Sequence, residues 1–379
     1  MSGFGVYVHV PFCSSLCPYC DFAVVVGRAD MHDRYCDALI DEGRAQRDIP
    51  EATSLFIGGG TPTALAPALL RNLIEQLRAV LPLANGAEVT VEANPESVTA
   101  AGLLEAAAAG VNRVSIGAQS FAPHVLRALG RTHSAEQAVN AVAAARSAGI
   151  GNVSLDLIYG SPGETMEEWT TSLRRALEEG PDHISAYALT IEAATPFGKA
   201  VARGSMDEPD QDDLAAKYEL ACEILADAGY RHYEISNWAR PGFESRHNLL
   251  YWTQGEYVGL GIGAHSHRDG RRSWNTRALG RYLADPTDAR DGEERLTEIQ
   301  RAEEWVSLRM RLMDGVDMGE AGERLGRDLR GVAADCEAGG LAVLDGDMLL
   351  LTTRGMLLEN EVTLRLLASS PLALDMVEC

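Results

Sequence analysis

The sequence predicts an α/β fold: a partial or full β/α barrel carrying a small C-terminal α+β module of winged-helix type. Three observations carry this prediction. Short β-rich runs alternate with longer Ala- and Leu-rich stretches from residue 54 to about 236, four of those stretches stop at a glycine just before the next strand, and polar residues stand where strands end. Strands joined by helices of such length run parallel, because a parallel pair needs a crossover connection. A doubly wound open sheet shares this local signature.

Strands are predicted over residues 6–10, 54–57, 88–92, 111–117, 152–158, 183–189 and 231–235, with a first helix over 31–46. Gly110, Gly149, Gly180 and Gly229 are placed as left-handed helix terminators. Glu92, Gln119 and Asp156 stand at or near strand ends, the side of a β/α barrel that bears the active site. Each alone also reads as a loop cap. Beyond residue 296 come helices over 301–313 and 319–336, then apolar runs over 341–344 and 348–352 flanking Asp345-Gly346, a strong hairpin signal. The expected division is a core of residues 1–236, a connecting segment of 237–295 and a C-terminal module of 296–379.

Composition narrows the function. With 379 residues, 46% hydrophobic and 23% charged, the chain reads as an ordinary globular protein with room for one large unit and a smaller one. The formal charge of −22 argues against nonspecific nucleic-acid binding, which rests on cationic side chains. Residues 296–379 hold 8 basic against 16 acidic residues, so their winged-helix pattern points to packing or partner contact rather than DNA. No apolar run approaches the length of a membrane span, and residues 1–10 lack a basic stretch followed by an apolar one. The expected location is the cytoplasm.

Three of the seven cysteines, Cys13, Cys17 and Cys20, form a C-x3-C-x2-C loop, unlike the dispersed framework of a secreted disulfide protein. Closely spaced thiolates suit an iron-sulfur cluster, and three ligands on four irons leave one iron open. A Cys3His zinc site using His9 is the competing reading. Cys36, Cys222 and Cys336 read as small core residues. After the apolar residues 55–57 comes Gly58-Gly59-Gly60-Thr61, whose glycines allow close backbone approach to a ligand. The stretch lacks the Gly-Lys-Ser/Thr ending of a phosphate-binding loop.

Together the cysteine loop, residues 58–61, Glu92-Ala93-Asn94-Pro95, Gly117-Ala118-Gln119-Ser120-Phe121, Asp156-Leu157-Ile158-Tyr159-Gly160 and the C-terminal module resemble the radical S-adenosylmethionine (SAM) proteins of the oxygen-independent coproporphyrinogen III oxidase group. Within that group the chain most closely resembles the HemW-type heme chaperones. The resemblance implies a 4Fe-4S cluster on Cys13, Cys17 and Cys20, whose open iron chelates the amino and carboxylate groups of S-adenosyl-L-methionine. Gly59, Gly60 and Thr61 would hold its amino-acid end, and Glu92, Gln119, Arg131 and Asp156 match family residues that contact it. Tyr19 and Phe22 are aromatics that would pack on the adenine or shield the cluster.

Departures from the oxidase separate the branches. Phe22 stands where the oxidase has a further cysteine, the oxidase's N-terminal extension is missing, and Arg246-His247-Asn248-Leu249-Leu250-Tyr251-Trp252 matches the His-Asn-x-x-Tyr-Trp signature of the chaperones. The implied function is binding of heme and its delivery to an acceptor apoprotein, membrane-associated acceptors included, with an external electron donor. The alternative is a radical SAM oxidative decarboxylase of porphyrin biosynthesis. His247 is expected to ligate heme iron, with His265 and His267 as rivals.

Overall fold

The computed structural model describes residues 3–368, so residues 369–379 of the C-terminal module lie outside the described part. Six parallel strands lie side by side in sequence order: β1 (Phe4–Val10), β2 (Ala52–Gly59), β3 (Leu83–Ala93), β4 (Arg113–Gln119), β5 (Asn152–Tyr159) and β6 (His183–Ala188). A doubly wound sheet reverses its strand order at a switch point; this one winds in a single direction, as a β/α barrel does.

Beyond β6 come β7 (Arg231–Glu234), β8 (Asn237–Ala239), β9 (Glu256–Leu260), β10 (His265–Arg268), β11 (Arg271–Asn275) and β12 (Arg290–Arg295). The complete order is β12-β11-β10-β9-β1-β2-β3-β4-β5-β6-β8-β7, with two free ends, so the barrel is partial. Residues 237–295, read from sequence as a connection, therefore supply β8 to β12 of this sheet. Strand β12 is mostly charged and exposed, and β11 has a single apolar residue, Trp274, which hides both from a search for apolar runs.

Alternation along the strands sets the character of the two faces. Val6, Val8, Leu55, Ile57, Val89, Val91, Val114, Ile116, Val153, Leu155 and Ile184 pack into one core with helical Leu39, Leu73, Leu77, Leu103, Trp169 and Leu173. Each such burial stabilises by roughly 1.5–3 kcal/mol. The intervening residues are largely polar and meet one another across strands on the inner face: Ser115 reaches Asp156, and Ser154 reaches His183. Helices end where glycine was expected to end them, with positive φ at Gly110 (102°), Gly149 (83°), Gly180 (59°) and Gly229 (81°).

The C-terminal module has its own core, including Trp305, Val306, Leu325, Cys336 and Leu349. Its helix expected over 319–336 is two helices, Met318–Leu325 and Arg330–Ala338, separated at Gly326, which is left-handed at φ 67°. The hairpin Ala342–Asp345 with Met348–Leu351 forms as expected, and Val316–Asp317 adds a third strand. An isolated bridge from Glu234 to Leu312 joins the module to the end of the large sheet.

One buried ion pair holds the turn after β5. Lys217, fully buried on helix Gln211–Asp227, donates to Asp213 Oδ2 (2.7 Å) and to the Glu164 carbonyl (2.9 Å) and lies 3.4 Å from the Glu164 carboxylate, which accepts from Gly160 N–H. Replacing Lys217 by Met strands the buried Glu164 carboxylate, and chemical denaturation should register a loss of about 3–5 kcal/mol.

Candidate functional site

The C-terminal strand ends open into one cavity of about 670 Å³, lined by Cys13, Cys17, Tyr19, Cys20, Gly59, Gly60, Glu92, Gln119, Arg131 and Asp156 among others. Of the residues expected to contact cofactor there, Thr61 is set back from the lining. Its hydroxyl accepts from Asn94 Nδ2 (2.8 Å) and lies 3.5 Å from Cys13 Sγ. Asn94 also accepts from Arg131 (2.6 Å), and Arg131 donates to Cys17 Sγ at 3.6 Å. A chain of polar contacts thus ties the strand ends to two of the three cysteines.

Burial pushes the Cys13 and Cys20 thiols up, against hydrogen bonds from Thr61 and from the Phe22 backbone respectively. Such thiols give up their protons to a metal rather than spontaneously. Among the described residues no three His, Cys, Asp or Glu side chains are gathered closely enough to hold a single ion. The three cysteine sulfurs that line this cavity are soft donors of the kind that suits an iron-sulfur cluster. His9 is unsuited to complete a zinc site, since its Nε2 pairs with Ala23 O (2.8 Å) and its Nδ1 with Tyr7 OH (2.9 Å).

The glycine triplet is dictated by crowding. A Cβ on Gly58 would lie 2.6 Å from the Glu92 carboxylate, one on Gly59 2.2 Å from His9 Nδ1, and one on Gly60 2.5 Å from the Pro11 carbonyl carbon. Gly59 also has φ +102°, and its N–H donates to Glu92 Oε2 (2.8 Å). Burial raises the Glu92 carboxyl to about 7, with the Gly59 N–H opposing and the charge of Asp156 adding.

Asp156 accepts hydroxyls from three strands: Ser115 (2.8 Å), Ser154 (3.2 Å) and Ser185 (2.7 Å). These bonds oppose the upward push of burial on its carboxyl. Gln119 takes a left-handed backbone, φ 60°, at a bulge of β4, the kind of local strain that accompanies functional sites. Asn94 and the three serines went unassigned in the sequence reading. The signal for the serines is the polar alternation in residues 113–119, 152–158 and 183–186.

His247, the residue expected to ligate heme iron, is buried with both ring nitrogens engaged. It is 2% exposed on helix Arg246–Trp252, its Nδ1 pairs with Ser54 Oγ (2.8 Å) and its Nε2 with Tyr251 OH (2.8 Å), so neither ring nitrogen is free. Burial lowers this imidazole to about 3. Glu88 accepts the backbone N–H groups of Arg246 (3.0 Å) and His247 (3.1 Å), fastening the helix start. His267 is buried with Nδ1 on Gly255 O (3.2 Å), whereas His265 is exposed and stacks beside Trp274.

Comparison with known proteins places this geometry. Residues 7–176 match the Radical SAM superfamily and residues 296–358 the HemN C-terminal domain. Proteins described as heme chaperone HemW are similar throughout: that of Mycobacterium tuberculosis is 42% identical, with 96% of this chain and 95% of the relative covered, and that of Bacillus subtilis is 36% identical, with 94% and 97% covered. Among solved structures, coproporphyrinogen III oxidase (HemN) of Escherichia coli superposes with a TM-score of 0.83 at 25% identity, covering 96% of this chain and 90% of that one.

Two substitutions test the packing argument. Replacing His247 by Ala leaves Ser54 and Tyr251 without partners and opens a void, and denaturation should report a loss of about 2–4 kcal/mol. Gly59→Ala drives a methyl into the His9 ring at a left-handed position. It should destabilise the fold and lower metal uptake by the cysteine loop together, measured by denaturation and by iron content after anaerobic reconstitution.

Proposed function

Because the chain belongs to the HemW family of radical SAM proteins, we propose that it binds a 4Fe-4S cluster, S-adenosyl-L-methionine and heme, and delivers the heme to acceptor apoproteins. The observation that carries this reading is the gathering of three cysteines, two strand-end carboxylates, Gln119 and Arg131 around one cavity. Cys13, Cys17 and Cys20 would hold the cluster, which supplies an open iron for the amino-acid end of S-adenosylmethionine and the electron for its cleavage. Arg131 suits a carboxylate, Glu92 and Asp156 suit ribose hydroxyls, and Tyr19 offers an aromatic face. The backbone of Gly60 leaves room for close approach.

The cavity mouth supports heme rather than a small polar substrate. Leu16, Phe22, Val26 and Tyr187 are exposed large apolar side chains, Phe22 at 69%, and the first two and Tyr187 line the cavity itself. A flat apolar macrocycle covers such a rim favourably. Phe22 takes the place of the cysteine that the oxidase resemblance requires, which favours the chaperone over the decarboxylase. Among the described residues no helix is long and apolar enough to cross a membrane. Delivery in the cytoplasm to a separate acceptor, with an external electron donor, is part of the proposal.

Anaerobically purified protein should be brown and contain iron and sulfide, and Ala at Cys13, Cys17 or Cys20 should abolish the colour; stoichiometric zinc without sulfide would overturn the cluster. Hemin titration should give a Soret band, while coproporphyrinogen with S-adenosylmethionine and reductant should release carbon dioxide far below the roughly 1 per second of an ordinary enzyme. Brisk carbon dioxide release without a heme band would return the chain to the oxidase reading.

A further inference from the structure

The inner face of the sheet contains a run of hydrogen bonds that ends on the cavity carboxylate Asp156. Asn248 Nδ2 donates to Tyr233 OH at 3.3 Å, Tyr233 OH pairs with His183 Nε2 at 2.8 Å, His183 Nδ1 pairs with Ser154 Oγ at 2.8 Å, and Ser154 Oγ donates to Asp156 Oδ1 at 3.2 Å. His183 and Ser154 are buried almost completely and Tyr233 nearly so. Asn248 belongs to the helix that plugs the inner face, outside the cavity lining.

Proton counting gives the run one direction. Ser154 Oγ donates to Asp156 Oδ1 and spends its single proton there, so its oxygen must accept from His183 Nδ1–H. Burial, then the charge of Arg113, holds the His183 imidazole well below its ordinary range, so it is neutral and carries one ring proton. With that proton on Nδ1, Nε2 is an acceptor and takes the Tyr233 hydroxyl proton. The Tyr233 oxygen is then free to accept from Asn248. Asn248 presents its amide nitrogen there, as the donor at 3.3 Å. In the other tautomer Ser154 would turn its proton toward His183 Nδ1 and abandon Asp156, and Tyr233 would face two donors.

We propose that Asn248, Tyr233, His183 and Ser154 are positioning residues that lock the His183 tautomer and thereby aim the Ser154 hydroxyl at Asp156, fixing that carboxylate for the ribose hydroxyls of S-adenosylmethionine. Among the described residues Asp156 is otherwise held by Ser115 and Ser185 alone, and it faces Glu92 on β3, Arg113 on β4 and Tyr187 on β6. Its orientation in the cavity wall therefore depends on hydroxyl protons, one of which is controlled from the far side of the barrel. The inference rests on the reading of the cavity as a S-adenosylmethionine site.

The test is calorimetry of S-adenosylmethionine, and separately of L-methionine, on cluster-loaded full-length protein. Tyr233→Phe removes the hydroxyl and keeps the ring; His183→Leu removes the relay and His183→Gln restores a donor and an acceptor. Tyr233→Phe and His183→Leu should weaken S-adenosylmethionine roughly 3- to 10-fold, His183→Gln less, with methionine affinity and iron content unchanged. Adding Tyr233→Phe to Asp156→Ala should cause no further loss, because both act on one carboxylate. Wild-type affinity in Tyr233→Phe and His183→Leu, equal losses for methionine, or losses that add on the Asp156→Ala background would overturn the relay. A wild-type protein that binds no S-adenosylmethionine would instead overturn the reading beneath it.

Discussion

Two carboxylates in the wall of a cavity, Glu92 and Asp156, have no cation within ion-pair distance among the described residues. Their stabilisation comes from neutral donors: one backbone N–H for Glu92 and three serine hydroxyls for Asp156. Arg113 acts on both only at longer range. An arginine clamped on either carboxylate would satisfy it fully and leave little acceptor capacity for a ligand. Neutral donors make the burial tolerable while keeping lone pairs available, and most of the local sequence follows from that arrangement. Position 58 must be glycine because the Glu92 carboxylate occupies the space of a side chain. Three adjacent strands must each present a small hydroxyl to the inner face.

The same requirement explains an inner face unlike that of an ordinary parallel sheet. Strands buried on both sides usually read as continuous apolar runs. Here β4, β5 and β6 alternate, with Val114, Ile116, Val153, Leu155 and Ile184 toward the helices and Arg113, Ser115, Ser154, Asp156, His183 and Ser185 inward. A polar interior is stable only when its groups satisfy one another, and a chain of directional bonds does so at the expense of freedom at every link. The cysteine loop joins this network through Thr61, Asn94 and Arg131. Loop and strand ends therefore hold one another in place.

How much of this was legible in sequence depended on whether the signal was local. The glycines closing helices, the C-x3-C-x2-C loop and the polar strand ends each sit within a few residues of the feature they mark, and the described structure has the strands and the left-handed glycines where they were expected. Gly326 was read through as helix because its neighbours are good helix formers, although its φ of 67° ends one there. Strand β12 is almost wholly charged and β11 has one apolar residue, Trp274, so neither shows an apolar period. The partners of the serines were invisible for another reason: a serine in a strand says nothing of its partner, and Ser115 meets Asp156 only after forty residues of intervening chain.

The His-Asn-x-x-Tyr-Trp stretch shows how a motif and its chemistry can be read at different depths. Its spacing puts His247 and Tyr251 four apart, one turn of helix, and the structure uses that turn to bond the two side chains to each other. Ser54 takes the other imidazole nitrogen, Glu88 takes the two leading backbone N–H groups, and Phe56 stacks on the ring at 5.2 Å. Every polar feature of His247 that makes it attractive as an iron ligand is therefore already engaged in closing the inner end of the barrel. For iron to reach this imidazole, the bond to Ser54 or to Tyr251 must break, and a shift of the helix carrying His247 would also disturb Asn248, the next residue. His247 and Asn248, consecutive residues of one turn, thus tie the helix both to Ser54 on β2 and to Tyr233 on β7.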